Sequence, residues 1–378
     1  MGSKGKCFWL VRFIAAGLIA GVLFQNVEAQ QKTEFKTVAG VVIVSNSKKP
    51  DPAPGGPSQL FLKEDLVIGR ESSADSYLFA SLGYVGADDQ ENIWALDLKD
   101  FKVRIFDKTG KLVNTFGKKG QGPGEWNDPG QMVVLSNGTA AILDTSKLTF
   151  YSLNGKCLKE ISKAKNEISQ IAINSKGAIY GESLDIDFQT QKMHMKVLRY
   201  DQSLNPIATI AVVDVPFKFD AISVFPPILQ CHVTADDRLI WMSSYVYTYN
   251  VLDSDGKLMR KITKDFTPVK ISAAEKKQIL KQGGRAISDF HLVIPDYFPL
   301  FDKFVGDADG RLYTQTYERD KKGWELFDVF DTDGRFIARF SLPKGERISF
   351  IKKNKLYVLI KEDEEGKPLI KRYAMEWK

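Results

Sequence analysis

Histidine and cysteine are scarce in this chain: three of each in 378 residues. That shortage excludes cysteine-rich disulfide scaffolds and Cys/His zinc modules. One cysteine, Cys7, lies in the N-terminal leader, and Cys157 and Cys231 sit inside strand-like runs, where two buried free thiols are expected rather than a bridge. An excess of one charge is also lacking. The formal charge of +6 drops to +4 when Lys4, Lys6, Arg12 and Glu28 leave with the first 29 residues, and Lys and Glu are interspersed without a basic stripe. No nucleic-acid partner is expected. A hydrophobic content of 43% with 26% charged residues excludes disorder and a multi-pass membrane protein alike.

The one long apolar run is at the start. Lys4, Lys6 and Arg12 precede Phe13 to Phe24, and Val27-Glu28-Ala29 offers small or apolar residues where a signal peptidase reads. Residues 1–29 are therefore expected to be a signal peptide cleaved after Ala29, which sends the chain to the periplasm or outside the cell. No membrane span is expected after cleavage. Cys7 precedes the apolar run, which disfavours a lipoprotein, and retention of Cys7 to Phe24 as an anchor is the competing reading. Residues 30–57 follow as a lead-in, with the β-branched run Gly40 to Ser45 and a Pro/Gly linker from Lys49 to Pro57. The packed body is expected over residues 58–378.

Within that body two turn signals alternate. The first, a polar turn leading into an apolar pair, occurs at Gln90-Glu91-Asn92, Ser136-Asn137-Gly138, Ser175-Lys176-Gly177, Asp236-Asp237-Arg238, Asp309-Gly310-Arg311 and Asn354-Lys355. The second, an Asx or glycine turn after an aromatic-rich strand, occurs at Asp107 to Gly110, Asn154-Gly155, Asp201 to Asn205, Asp253 to Gly256 and Asp331 to Gly334. Six signals of one kind and five of the other describe six units of about four strands each, the last lacking a strand. A closed ring cannot leave that edge bare. The spare strand Leu60 to Ile68 is expected to complete it, so the fold class is an all-β six-bladed β-propeller, its last blade closed by an N-terminal strand, with one short inserted helix. That helix is Ser272 to Gln282, with Ser272 as N-cap and Glu275 completing a capping box.

The first unit carries Ile93-Trp94, Asp97, Asp100, Val103, Phe106-Asp107, Gly110-Lys111, Phe116-Gly117, Gly120, Gly122, Gly124-Glu125 and Pro129. At that spacing it resembles an NHL repeat, and with the short N-terminal strand, the proline-bearing linker and the GQGPGE loop the chain resembles the exported bacterial six-bladed β-propeller proteins. Asp100 and Lys102 stand where such repeats favour Asn and Arg. The resemblance implies a propeller used mostly as a binding scaffold and does not imply one activity.

Local motifs point the same way. Gly117 to Gly124 is followed by no helix, so a crossover loop is expected rather than a phosphate cradle. The Asp-x-Asp-Gly runs starting at Asp253, Asp307 and Asp331 lack the twelfth-position Glu of a calcium loop and read as hairpin turns. His194, His232 and His291 fall in successive units, the one arrangement that could converge on a metal. No cofactor is expected, a divalent metal entering only under that alternative.

Strands that alternate up and down put both short turn classes on one face of the disc. The long connections, Gly117 to Pro129, Ser183 to Lys196, Val213 to Pro227, Phe266 to Phe301 and Glu318 to Trp324, must share the other. Ligand-contacting residues are expected there: Trp126, Asp187, Phe188, His194, Phe225, Arg285, His291 and Tyr297. The expected function is a non-catalytic, monomeric scaffold that binds a protein, peptide or glycan. The alternative is a metal-assisted propeller lyase or lactone hydrolase working at the channel mouth.

Overall fold

A short hydrogen-bonded turn whose fourth residue has positive φ bends a strand back on itself, and this chain repeats that device around a ring. The computed structural model describes residues 32–70, 77–163, 168–217, 221–283 and 291–378. The hairpin of β1 (Glu34–Val38) and β2 (Val41–Asn46) comes first, then β3 (Leu60–Ile68). Blade one is β4 (Leu82–Ala87), β5 (Ile93–Asp97), β6 (Lys102–Phe106) and β7 (Leu112–Phe116), and blade two is β8 (Pro129–Val134), β9 (Thr139–Asp144), β10 (Lys147–Ser152) and β11 (Cys157–Ser162). Blade three is β12 (Ile168–Ile173), β13 (Ile179–Asp187), β14 (Lys192–Tyr200) and β15 (Pro206–Pro216). After the short β16 (Ala221–Ser223), blade four is β17 (Leu229–Val233), β18 (Leu239–Ser243), β19 (Thr248–Leu252) and β20 (Leu258–Lys264). An insertion holds α1 (Ala273–Gly283) and β21 (His291–Val293). Blade five is β22 (Lys303–Gly306), β23 (Leu312–Arg319), β24 (Glu325–Phe330) and β25 (Phe336–Leu342). Blade six is β26 (Glu346–Lys352), β27 (Lys355–Ile360) and β28 (Leu369–Trp377), with β3 as its fourth strand.

The turns match their sequence signals. In the five hairpins joining third to fourth strands, Gly110, Gly155, Leu204, Gly256 and Gly334 hold positive φ and donate back to Asp107, Ser152, Asp201, Asp253 and Asp331. A register shift falls just before each turn, at the end of the third strand. Asp253 Oδ1 accepts from the N–H groups of Asp255 (3.0 Å) and Lys257 (2.9 Å), and Asp331 Oδ1 does the same for Asp333 (3.0 Å) and Arg335 (2.9 Å). The Asp-Gly runs are turns.

Closure is as expected. Strand β3 pairs antiparallel with β28, from Ile68 opposite Ile370 to Leu60 opposite Trp377. The N–H groups of Ser58 (2.8 Å) and Gln59 (3.0 Å) donate to the Lys378 carbonyl. The lead-in differs from expectation: the packed body starts well before Ser58. Strand β2 pairs in parallel with β20, Val42 opposite Arg260 through Asn46 opposite Lys264, and blade four becomes six-stranded. Asn46 fixes the addition, donating to the carbonyls of Thr263 (3.0 Å) and Gly334 (2.8 Å) and accepting from Phe336 N–H (2.8 Å). The β-branched run thus caps an outer edge that would otherwise present unpaired backbone.

The core lies between blades. Trp94, Ile105, Trp126, Met132, Ile142 and Tyr151 fill the seam of blades one and two, and Val305, Tyr313, Ile337, Ile348 and Val358 fill that of five and six. Polar stitches join the inner strands. The Gln131 side chain bonds both backbone groups of Ile171, and Gln230 bonds both of Phe304. Cys157 and Cys231 are free and only partly buried, so the expected burial holds incompletely.

Candidate functional site

Every first-to-second and third-to-fourth connection is a tight turn, so side chains that reach beyond the ring come from the opposite face. On the loops and insertion of that face, Phe188, Tyr245, Val246, Leu280, Val293 and Tyr297 are exposed. Among the described residues, the tight-turn face exposes no large apolar side chain from its turns.

Blade three contributes a projecting arm, because β13, β14 and β15 run 9, 9 and 11 residues against the 5 or 6 of blades one and two. Asp187 caps its tip, Oδ1 accepting from Gln189 N–H (2.9 Å) and Thr190 N–H (3.1 Å), and bonding to the Thr190 hydroxyl and these amides holds the carboxyl below the usual range. Its role is local turn chemistry. Phe188 is 61% exposed beside it and meets Phe217 edge to face, centroids 6.4 Å apart. His194 Nδ1 lies 2.7 Å from Asp214 Oδ1, and this bond lowers the Asp214 carboxyl. An open cavity of about 380 Å³ runs beneath the tip, between Gln191 and Lys192 on one side and Asp214 and Phe217 on the other.

The insertion between blades four and five is pinned at several points. Strand β21 pairs in parallel with β16, placing His291 opposite Ala221 with its ring exposed. Tyr297 bridges Lys270 and is exposed. Phe225 packs against Phe298 (5.2 Å) and Tyr317 (5.9 Å), and Phe298 and Tyr317 stack at 4.7 Å. Phe225 is thus a partly buried anchor. The capping box of α1 forms, Ser272 Oγ accepting from Glu275 N–H (3.2 Å) while Ser272 N–H donates to Glu275 Oε2 (2.9 Å). Arg319 to Glu275 (2.8 Å) and Lys276 to Asp296 (2.7 Å) then hold the helix down. Arg285 lies outside the described residues.

Trp126 is a correction. It is fully buried, centred between Phe116 and Tyr151 at 6.2 and 5.5 Å, because Gly117 lets the chain pass over its indole. The glycine crossover serves packing: Gly117 and Gly124 hold positive φ, and Glu125 Oε2 accepts from Gly122 N–H at 3.0 Å. The three histidines do not converge. His194 lies on the arm, His291 in the insertion and His232 on inner strand β17, and among the described residues no group of three or more His, Cys, Asp or Glu could hold a metal. Among the described residues nothing gathers the donor set that the metal-assisted alternative needs.

The two seams flanking blade four carry groups that sequence reading passed over. Glu182 is buried and accepts from Cys231 N–H at 2.9 Å, and burial pushes its carboxyl up to about 7. His232, on the opposite side of β17, packs near Phe304 (6.4 Å), where Gly306 leaves room for its ring. Burial, aided by the nearby Lys303 charge, lowers the imidazole to about 4.

At the loop-face end of the seam between blades five and six, Lys303 opens β22 directly opposite Gln315. Gln315 is 4% exposed; its Nε2 donates to Glu325 Oε2 at 2.6 Å and its Oε1 has no partner. Tyr317 donates to Asp302 Oδ1 at 3.1 Å. Burial lowers the Lys303 ammonium to about 8, with Asp302 opposing and Arg347 adding to the fall. Burial likewise raises the Glu325 carboxyl. Arg347 is exposed near the start of β26, and its charge also acts on Tyr317 and Glu325. The side chains of Lys303 and Arg347 make no hydrogen bond or ion pair among the described residues, although the Asp302 charge acts on Lys303. No periodicity or motif marks Lys303 or Gln315, since their burial depends on how two blades pack.

Fold and geometry together define the class: a six-bladed β-propeller, nearly all β, with one helix among its described residues. A family described as 6-bladed beta-propeller matches residues 72–251, which reach from the approach to blade one into blade four. The chain is similar to a protein of Bacteroides fragilis NCTC 9343 provisionally described as exported. They are 14% identical, covering 89% of this chain and 99% of that one, with a TM-score of 0.53. Weaker likenesses include virginiamycin B lyase from Staphylococcus aureus, 10% identical over 84% of this chain and 99% of that one (TM-score 0.43). A gluconolactonase from Xanthomonas campestris is 12% identical over 79% and 88% (TM-score 0.45). No curated protein matches the sequence. Likeness at these identities shows the fold alone, and neither enzyme's activity is carried to this chain.

Proposed function

We propose that this chain is an exported, monomeric binding scaffold, non-catalytic, whose long-loop face takes a protein, peptide or glycan. The observation that carries the reading is that the loops and insertion of one face expose Phe188, Tyr245, Val246, Leu280, Val293 and Tyr297, whereas the large apolar side chains exposed toward the other, Phe61, Val113, Leu158, Ile207 and Met259, lie on the outer strands and not on its turns. A monomer that keeps such residues in water on one side of a rigid ring is built to cover them with a ligand. Of the residues expected to contact that ligand, Phe188, His194, His291 and Tyr297 fit the role. Asp187 and Phe225 support the loops, and Arg285 stays in the proposal on sequence grounds. The lyase-like alternative finds no metal-holding group to support it among the described residues.

Export follows from the leader, with the mature chain starting at Gln30 and residues 1–29 lost. No described helix is long and apolar enough to cross a membrane. N-terminal sequencing from a periplasmic fraction should return Gln30, and Met1 from the cytosol would end this part of the reading. For the face itself, Phe188→Ser, Tyr245→Ala and Tyr297→Ala should each reduce capture of a partner from envelope extract at an unchanged melting temperature. Lys257→Glu on the tight-turn face should leave capture intact. Loss with Lys257→Glu and full capture by the other three would assign the working face to the wrong side.

A further inference from the structure

We propose that the free edge of β1 takes an extended segment of a partner polypeptide as a further strand of blade four, the segment alternating acidic and apolar side chains. The site lies at the outer rim of the blade, so the inference goes beyond the loop-face reading and does not rest on it. Blade four ends in the order β20-β2-β1, and among the described residues β1 has no strand on its other side. All five of its residues, Glu34 to Val38, are exposed.

The hairpin turn fixes which backbone groups point outward. Ala39 and Gly40 hold φ of 49° and 80° between the paired residues Val38 and Val41, which makes a type I′ hairpin whose closing pair exchanges both hydrogen bonds. Counting back along the strand, Lys36 and Glu34 bond to β2, and the N–H and C=O groups of Phe35 and Thr37 point away from it. Thr33 has the same parity, and its N–H donates to Asp51 Oδ2 at 2.7 Å. The chain thus fills its first outward donor with a carboxylate of its own. Those of Phe35 and Thr37 have no such partner among the described residues, and a strand laid along the edge would supply it.

The side chains set the chemistry of that strand. Phe35 lies opposite the fully buried Val44, so Phe35 and Thr37 share the inward face. Phe35 is nonetheless 44% exposed, its ring beneath the Arg335 guanidinium at 4.6 Å. An apolar side chain on the added strand would cover it. Lys32, Glu34 and Lys36 share the outward face, and the exposed Lys48 and Lys49 follow β2 at the same end as Lys32. Four lysines to one glutamate favour acidic residues on the partner, and an extended segment that alternates the two kinds presents them to opposite faces.

The test is fluorescence polarisation of the full chain with a labelled octapeptide of alternating glutamate and valine, beside the lysine–valine peptide and a fully backbone-N-methylated form of the first. The glutamate–valine peptide should bind, and the other two should each bind about tenfold more weakly or not at all. Hydrogen exchange over residues 33–38 should slow when the first peptide is added. Thr37→Pro removes an outward N–H without breaking the β2 pairing and should weaken binding about tenfold, and Lys36→Glu should turn the preference toward the lysine peptide. Melting temperatures that match the parent separate lost binding from lost folding, and the N-methylated peptide tests the ladder without any variant. Equal binding of the three peptides overturns the proposal, as does undiminished binding by Thr37→Pro. Capture of the chain by phosphatidylglycerol vesicles with no peptide bound also overturns it, giving the basic rim to a lipid surface. Phe188→Ser should bind the peptide as the parent does, and a loss there would move the peptide from the rim to the loop face.

Discussion

The seam between blades one and two and the loop-face end of the seam between five and six are made by the same strand arrangement and filled in opposite ways. In the first, Trp94, Phe116, Trp126 and Tyr151 meet ring to ring at 5.0 to 6.3 Å, and Gly117 leaves out the Cβ that would strike the indole. In the second, Lys303 stands opposite Gln315, whose buried amide oxygen lacks a donor among the described residues. The difference is one of filling: interlocked rings close the first seam even though Trp126 Nε1 and Tyr151 Oη have no hydrogen-bond partner among the described residues, whereas the second buries polar groups between its strands.

The largest effect should come from the aromatic seam. Trp126→Ala removes a fully buried indole at the junction of two blades, and such truncations cost about 3–5 kcal/mol. Chemical denaturation should show a loss of that size, with binding by the folded fraction intact. A loss below about 1 kcal/mol would mean the crossover loop, rather than the seam, holds the ring.

A second difference can be read from pH. Glu182 and His232 line opposite sides of the same inner strand and titrate in opposing senses. Glu182 rises from 4.5 to about 7 on folding, so its contribution to stability is fully present below pH 4.5 and is lost as pH rises to about 7. His232 falls from 6.5 to about 4, so its contribution is present above pH 6.5 and is lost as pH falls to about 4. Between pH 4.5 and 6.5 the two slopes oppose each other in the parent. Glu182→Gln should leave the histidine slope alone, so stability should climb with pH across that window, and near pH 8 the variant should gain up to about 3 kcal/mol. Unfolding midpoints measured from pH 4 to 8 check this. Parallel curves for parent and variant would show that Glu182 is not held protonated.

The smallest effect should come from the polar seam. Since Lys303 and Arg347 have no ion-pair partners among the described residues, replacing either by Ala should change stability by less than about 0.5 kcal/mol, and loss of the mutual repulsion could make the change favourable. Denaturation midpoints more than that below the parent would identify these residues as structural and erase the contrast between the seams.

Much of the fold could be read along the chain because each repeated device is local. An Asx residue binding the N–H groups two and four positions on, a glycine in the left-handed region and a run of alternating apolar residues depend on neighbours a few positions away. Six such units imply a ring, and the spare strand Leu60 to Ile68 implies how it closes. The capping box of α1 was legible for the same reason. The lead-in was misread because its parallel partner β20 lies more than 200 residues along the chain, and no turn announces a parallel pairing. Trp126 was misread because an aromatic residue in a glycine-rich loop looks the same whether it faces solvent or a neighbouring blade.

By itself the sequence determined the strand units, their tight turns, the closing strand and the face that must carry the long connections. Tertiary structure alone decided which loop aromatics are core and which exposed, that three histidines in successive blades stay apart, and that Lys303 stands opposite Gln315 at one seam. The physical reason is range: turns and strand periodicity arise from forces along the backbone, whereas desolvation, an unpaired charge and an unfilled acceptor exist only once separate blades have packed.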